Sequence, residues 1–259
     1  MPSRSALPLL LLAALAASFV LSYSALSAAS VNPAPEPLTT VAAELPAPPP
    51  PAPKPKPRPG PRWRSVVVRD AVPLRNWPNG PVVTRVGART DFGSTRVMSV
   101  VAQRGRWLGL VSTELPNGKL AWVHEKNAGL RLRRAGYSLH ADLSGRRLEL
   151  RKGGRLIRRF SVAIGRPGSE TPTGRFAVTD KLRGASYGPY YGCCILALNA
   201  HQPKLPAGWQ GGNRIAIHGT NSPGTIGSPA SAGCLRAADS DLEVLMRRVP
   251  LGTPVFIRY

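Results

Sequence analysis

Cysteine is scarce in this chain: three residues in 259, at Cys193, Cys194 and Cys234. No CxxC pair is present, which leaves a thiol oxidoreductase the least supported of the thiol chemistries. Three cysteines are too few for the disulfide framework of a small secreted scaffold, and an odd number leaves one thiol free. Histidine is almost as rare, with four residues, and no pair of cysteines or histidines falls at the short spacing of a zinc site. No phosphate-cradling glycine motif and no internal repeat occur. Acidic side chains are also few, 13 against 35 Lys and Arg, for a formal charge of +22.

Long apolar runs are limited to one. Arg4 precedes "LLLLAALAASFVL" (Leu9 to Leu21), and small residues follow it. That is the pattern of a secretion signal, and the run is short for a membrane span of about 20 residues. Cleavage near "ALSAAS" (Ala25 to Ser30) and retention as an uncleaved anchor both stay open. With no cysteine nearby, a lipid-modified cysteine anchor is excluded. Residues 1–30 are therefore expected to be a signal peptide or N-terminal anchor, and the protein to be exported to the cell envelope. Residues 31–61, "VNPAPEPLTTVAAELPAPPPPAPKPKPRPGP", hold too few large apolar residues for a core and enough proline for an extended, semi-rigid linker.

Export changes the meaning of the charge. In the cytosol a strongly basic chain points first to nucleic acid, but "KPKPRP" is linker and no nucleic-acid motif is present. Outside the membrane the available polyanions are lipid head groups and phosphate-bearing or carboxylate-bearing wall polymers. Retention at an anionic cell-wall polymer or membrane surface, and a merely solvated basic surface, are both compatible with the sequence.

About 200 residues remain for folded structure, enough for one large or two modest domains. Residues 62–134 alternate short β-branched and aromatic runs with turn signals at Pro78-Asn79-Gly80, Arg104-Gly105 and Pro116-Asn117-Gly118. The spacing predicts a small all-β barrel or sandwich. Within 135–259, "RRLELRKGGRLIRRFSVAIG" predicts two strands about a Lys152-Gly153-Gly154 turn, and "TPTGRFAV" and "GTPVFIRY" predict further strands. Ser240 and Glu243 predict a capping box, with Leu242, Leu245, Met246 and Val249 on one face of a short helix. Cys193 and Cys194, in the strand-like "YYGCCILAL", read as buried thiols, with a vicinal disulfide as the alternative.

Cys234 differs from them because it sits among Ser231, Ala232 and Gly233, small residues that let a ligand approach the backbone. A thiol of ordinary pKa, about 8.5, is mostly protonated at neutral pH, so a nucleophilic cysteine needs a neighbouring base. His218 ends the apolar strand "IAI", and the Gly/Pro/Ser loop that follows can fold back to present Cys234. The glycine at 233 opens room for the backbone N–H groups of Gly233 and Cys234 to form an oxyanion hole, a single donor of which is commonly worth ~2.7–4 kcal/mol. His124, His140 and His201 read as surface or core residues.

Four separated motifs, "VAIGRPGSETPTGRF", "IAIHGTNSPGTIG", "SAGCLR" and "GTPVFI", resemble in order and spacing the catalytic domain of the L,D-transpeptidases, the YkuD-type domain, over Tyr137 to Tyr259. "RGRWLGLVSTELPNGKLAWV" resembles bacterial SH3-like modules, with Ala121 where a glycine is usual. The resemblance implies a mainly β chain: an SH3-like small barrel, then a YkuD-type β-sandwich with a short helix after the catalytic loop. It implies Cys234 as nucleophile, His218 as general base and the Gly219 carbonyl as the acceptor that orients the imidazole. No metal or organic cofactor is implied.

Arg236 matches the arginine of the family's G-C-[IV]-R variant, where it orients a substrate carboxylate or the loop; a solvated surface charge is the competing reading. Thr220, Asn221, Ser231, Tyr190 and Tyr191 are candidate substrate-pocket residues. The family motif S-H-G-C reads S-A-G-C here, with Ala232 in place of a histidine, which bears on rate rather than on the Cys234 and His218 pair. The implied partner is the peptidoglycan stem peptide and the implied reaction a 3-3 crosslink. A non-catalytic wall-binding relative, an L,D-carboxypeptidase, and attachment of a protein to the wall are the alternatives.

Overall fold

The computed structural model describes residues 63–259. The signal or anchor at 1–30 and the linker at 31–61 lie outside the described residues. Among the described residues no helix is long and apolar enough to cross a membrane.

The first seven strands are β1 (Trp63–Val68), β2 (Val72–Arg75), β3 (Val82–Val86), β4 (Val97–Arg104), β5 (Trp107–Leu110), β6 (Ala121–His124) and β7 (Leu130–Ala135). They form one sheet in the order β3-β2-β6-β5-β4-β1-β7. Alternating Val and Leu side chains, among them Val66, Val68, Leu74, Leu108 and Leu110, make a core of its own. The turn signals are used as the sequence predicts. Asn79 takes a φ of 60°, Gly105 of 55° and Gly118 of 81°, the left-handed region in which glycine and asparagine fare best.

The second set comprises β8 (Tyr137–Asp142), β9 (Arg147–Lys152), β10 (Arg155–Ser161), β11 (Ile164–Gly165), β12 (Gly174–Arg183), β13 (Cys194–His201), β14 (Arg214–His218), β15 (Pro229–Ser231), β16 (Leu235–Arg236) and β17 (Pro254–Arg258), with one α-helix, α1 (Asp239–Arg248), before the last strand. Eight of these strands form a sheet in the order β10-β9-β8-β17-β12-β13-β14-β16, and β11 pairs with β15. The β9–β10 turn places Gly153 at φ 55° and Gly154 at 83°, the two successive positive values of a type I′ hairpin. Strand β12 pairs with β17 through Gly174–Ala177 and with β13 through its second half, with a register shift between Val178 and Asp180. The sheet bends there and folds over a core that includes Phe160, Phe176, Leu196, Leu198, Ile217 and Leu235. The chain is thus mainly β with one short helix.

Helix α1 buries Leu242 and Leu245, as its periodicity predicts. The predicted capping box is not made. Ala238 is the N-cap, with no side-chain cap bond; the helix starts two residues earlier than a Ser240 cap requires and draws Ser240 into its first turn. The reading of Cys193 and Cys194 as buried thiols is also corrected: they are half-buried and joined to each other as a vicinal disulfide.

Contacts between the two sets of strands are specific. The Asn117 side chain donates to the His201 carbonyl at 2.7 Å and accepts from the His201 N–H at 2.9 Å. Thr90 Oγ1 donates to Asp180 Oδ1 at 2.5 Å, and the rings of Trp63 and Phe256 lie 4.9 Å apart. Gly252 is needed for the close approach, since a Cβ there would lie 2.4 Å from Val97 Cγ1.

Candidate active site

Strand register brings the predicted pair to one face. β14 and β16 run parallel with Ile217 beside Leu235 and His218 beside Arg236. Side chains alternate along a strand, so Ile215, Ile217 and Leu235 enter the core while Ala216, His218, Cys234 and Arg236 share the opposite face. Cys234 is the one free cysteine among the described residues. Its Sγ accepts the Ala216 N–H at 3.4 Å. Burial pushes the thiol up to about 11, with the Ala216 amide pulling the other way.

His218 is fully buried. Its Nδ1 lies 2.6 Å from the Gly219 carbonyl oxygen, which can only accept, so Nδ1 carries the proton and Nε2 is left with its lone pair. Nε2 is buried and has no hydrogen-bond partner. The rings of Tyr191 and Tyr190 stand 4.9 Å and 5.6 Å from the imidazole. Desolvation lowers His218 to about 4, against smaller upward effects of the Gly219 carbonyl and Asp239. Burial thus favours the neutral thiol and the neutral imidazole over a thiolate–imidazolium pair. The resting pair is therefore neutral, and the imidazole has a free, desolvated acceptor nitrogen on the thiol's face.

Asp239, which the sequence did not single out, fixes the turn that carries the orienting carbonyl. Its Oδ2 accepts the Cys193 N–H at 3.0 Å and its Oδ1 the Thr220 N–H at 3.2 Å. The fit around Gly219 is close enough that a Cβ there would sit 2.0 Å from Asp239 Oδ1. Its only sequence signal is an acidic residue at the start of the helix that follows the cysteine.

The cysteine turn is held by Ser231 and Gln202. Ser231 Oγ donates to the Cys234 carbonyl at 2.6 Å and accepts the Gly233 N–H at 3.0 Å. The expectation that the Gly233 N–H stands open as an oxyanion donor is thereby corrected: it is committed to a side chain two residues upstream. Ser231 is itself fully buried, so it braces the turn and does not line a pocket. Gln202, also missed from sequence, is buried, and its Nε2 lies 3.2, 3.1 and 2.9 Å from the carbonyls of Ser169, Glu170 and Ala232. Gly233, at φ 122°, leaves the room that Gln202 fills.

The remaining candidates divide. Tyr190 and Tyr191 line a narrow cleft that reaches Cys234, together with Trp209, Arg214 and Ala232. Arg236 is buried, with its guanidinium on the Tyr190 hydroxyl and its carbon 4.4 Å from that ring's centre, so the solvated-charge reading is corrected. Thr220 is buried in the turn, where its hydroxyl accepts the Ser222 N–H, and Asn221 is exposed beside it; neither lines the cleft. Of the other histidines, His140 stacks on Phe256, His201 sits at the seam with the N-terminal strands, and His124 packs edge-on against Trp107.

Residues 136–257 match the model of the YkuD L,D-transpeptidase catalytic domain. Two Bacillus proteins named as candidate YkuD L,D-transpeptidases are similar over 123 residues, that of Bacillus licheniformis at 32% identity and that of Bacillus subtilis at 30%. In each case the match covers 47% of this chain and 65% of the relative's length. A solved L,D-transpeptidase from Mycobacterium smegmatis is similar at 15% identity and a TM-score of 0.41, covering 75% of this chain and 99% of that one.

Proposed function

Taking as premise that residues 136–257 belong to the YkuD-type L,D-transpeptidase catalytic domain family, we propose that the protein is an exported cell-wall L,D-transpeptidase. Its donor is a peptidoglycan tetrapeptide stem, and its N-terminal strands are an SH3-like module that presents the catalytic unit in the wall. The observation that carries the reading is the desolvated His218 Nε2, unpartnered and on the same strand face as the free thiol of Cys234. A buried imidazole with a free lone pair can serve as a general base, and a thiol kept neutral on the same face as a nucleophile released only when a carbonyl arrives.

In this reading Cys234 Sγ attacks the carbonyl of the third stem residue while His218 Nε2 takes the thiol proton. The Gly219 carbonyl holds the ring and its Nδ1 proton in place. Collapse of the tetrahedral species breaks the amide C–N bond, and His218 returns the proton to the departing terminal D-alanine. The thioester is then attacked by the side-chain amine of a neighbouring stem: a C–N bond forms, the C–S bond breaks, and the amine proton passes through His218 to sulfur. The product is a crosslink between two third residues. Arg236 acts by bracing Tyr190 against the imidazole, and the +22 charge keeps the protein at anionic wall polymers or the membrane surface.

Purified protein incubated with a disaccharide-tetrapeptide, with products followed by mass spectrometry, is expected to give crosslinked dimers and free D-alanine. D-alanine without dimers indicates a carboxypeptidase. No change at all indicates a wall-binding relative and overturns the proposal.

A further inference from the structure

The N-terminal strands send one aromatic side chain over the catalytic face. Phe92, in the turn between β3 and β4, lines a cavity of about 330 Å³ together with Tyr187, Tyr191, Ile195, Arg214 and Ala216. Phe92 lies outside residues 136–257, so the family match gives it no role. Its placement is built. The turn is closed by Thr90 N–H to the Ser94 carbonyl and Gly93 N–H to the Thr90 carbonyl, both 2.9 Å. It is tied down by Thr90 Oγ1 on buried Asp180, and Asp91 stands 3.9 Å from Arg214. The Phe92 ring meets Tyr187 edge-on at 6.1 Å, and the Arg214 guanidinium lies 5.9 Å from it.

The cavity reaches the residue whose amide binds the thiol. One wall is Ala216, whose N–H binds Cys234 Sγ. Tyr191 and Arg214 separate it from the narrow cleft of about 30 Å³ that reaches Cys234 from the Trp209 side. The wider cavity has the size of a small-ligand site, ~300–1,000 Å³ in general, and its walls are mostly carbon. Phe92 and Tyr187 leave 39% and 45% of their surfaces uncovered, an apolar exposure that a docked aliphatic chain would remove.

Transfer to an amine requires two peptides at one thiol, one already joined to sulfur and one arriving from the unoccupied side. We propose that the Phe92 cavity receives the second, amine-bearing peptide, with the aliphatic stem of its side chain against Phe92 and Tyr187. The N-terminal strands are then part of the transfer site. The inference rests on the transpeptidase reading.

The test uses the full chain and separates the two half-reactions. Acylation is followed as D-alanine release from the tetrapeptide and as carbapenem adduct formation, and transfer as crosslink yield against acceptor concentration. Phe92→Ala is expected to leave acylation within about twofold and to raise the acceptor KM about fivefold to tenfold. Phe92→Leu is expected to recover part of the loss, and Tyr187→Ala, from the opposite wall, to shift the acceptor KM in the same direction. A thermal midpoint for Phe92→Ala close to wild type excludes a folding defect. Acylation slowed as much as transfer, or an unchanged acceptor KM in a wild type that crosslinks, overturns the inference alone. A wild type that never acylates overturns the transpeptidase reading and this inference with it.

Discussion

Lowering the pH tests the buried imidazole directly. His218 has an ordinary value of 6.5, and burial lowers it in the folded protein to about 4. Above pH 6.5 the ring is neutral in both folded and unfolded chains, so it contributes no pH dependence. As pH falls through 6.5 the unfolded chain binds a proton that the folded site refuses, and stability begins to drop. The drop continues to about pH 4, where the folded ring is protonated too, and it totals about 3 kcal/mol for this one group.

Acylation should follow the folded value. The rate of carbapenem adduct formation, read by stopped-flow or intact mass, is expected to stay level from neutral pH down to about 5 and to fall with an apparent pKa near 4. Thiolate absorbance is expected only as pH approaches about 11, since burial holds the thiol up. His218→Gln should flatten the part of the thermal-midpoint curve between pH 6.5 and 4 that carboxylates do not explain. An acid limb near 6.5, or substantial thiolate at neutral pH, would refute the neutral, desolvated pair.

Replacing His218 by alanine is expected to slow acylation by ~10²–10⁴, the usual contribution of a general base, whereas Ala232→His, at the cleft wall, changes the rate or its pH profile only modestly. If wild type is inert and Ala232→His is active, the roles given to the two positions are wrong. Gly219→Ala puts a Cβ into Asp239 Oδ1 and is expected to cost ~1–3 kcal/mol in thermal unfolding, with a larger loss of acylation as the orienting carbonyl moves. Ser231→Ala leaves the buried Gly233 N–H and Cys234 carbonyl without their side-chain partner, an expected loss of ~1–3 kcal/mol; a thermal midpoint matching wild type would contradict the bracing role. Cys193→Ala is expected to retain most acylation and Cys234→Ala none; comparable loss at Cys193 would remove the assignment of the nucleophile.

Much of the chemistry was legible because it is carried by short segments. The strand "IAI" ending in His218, the glycine-rich return, and Cys234 before a helix need only local pattern to be found, and the β9–β10 hairpin follows from Gly153-Gly154 alone. The supporting residues were hidden by distance along the chain. Asp239 acts on Cys193, 46 residues away, and Gln202 on Glu170, 32 residues away. Phe92 belongs to a different group of strands from the site it borders. The Gly233 N–H departs from the oxyanion expectation for a local reason: a serine hydroxyl reaching a backbone N–H two residues on is a common turn device, and Ser231 uses it on Gly233. The helix start differs because its N-cap is Ala238, which offers no side-chain oxygen for sequence pattern to register.

The residue to which the peptide becomes covalently attached decides whether Cys234 is the nucleophile. Full-length protein mixed with disaccharide-tetrapeptide without an added acceptor, quenched in acid within seconds and digested for peptide mapping, is expected to carry a thioester on Cys234 whose mass equals the stem less its terminal D-alanine. Cys234→Ala should carry none. An acyl group on another residue, or free D-alanine from the Cys234→Ala variant, would contradict the central claim.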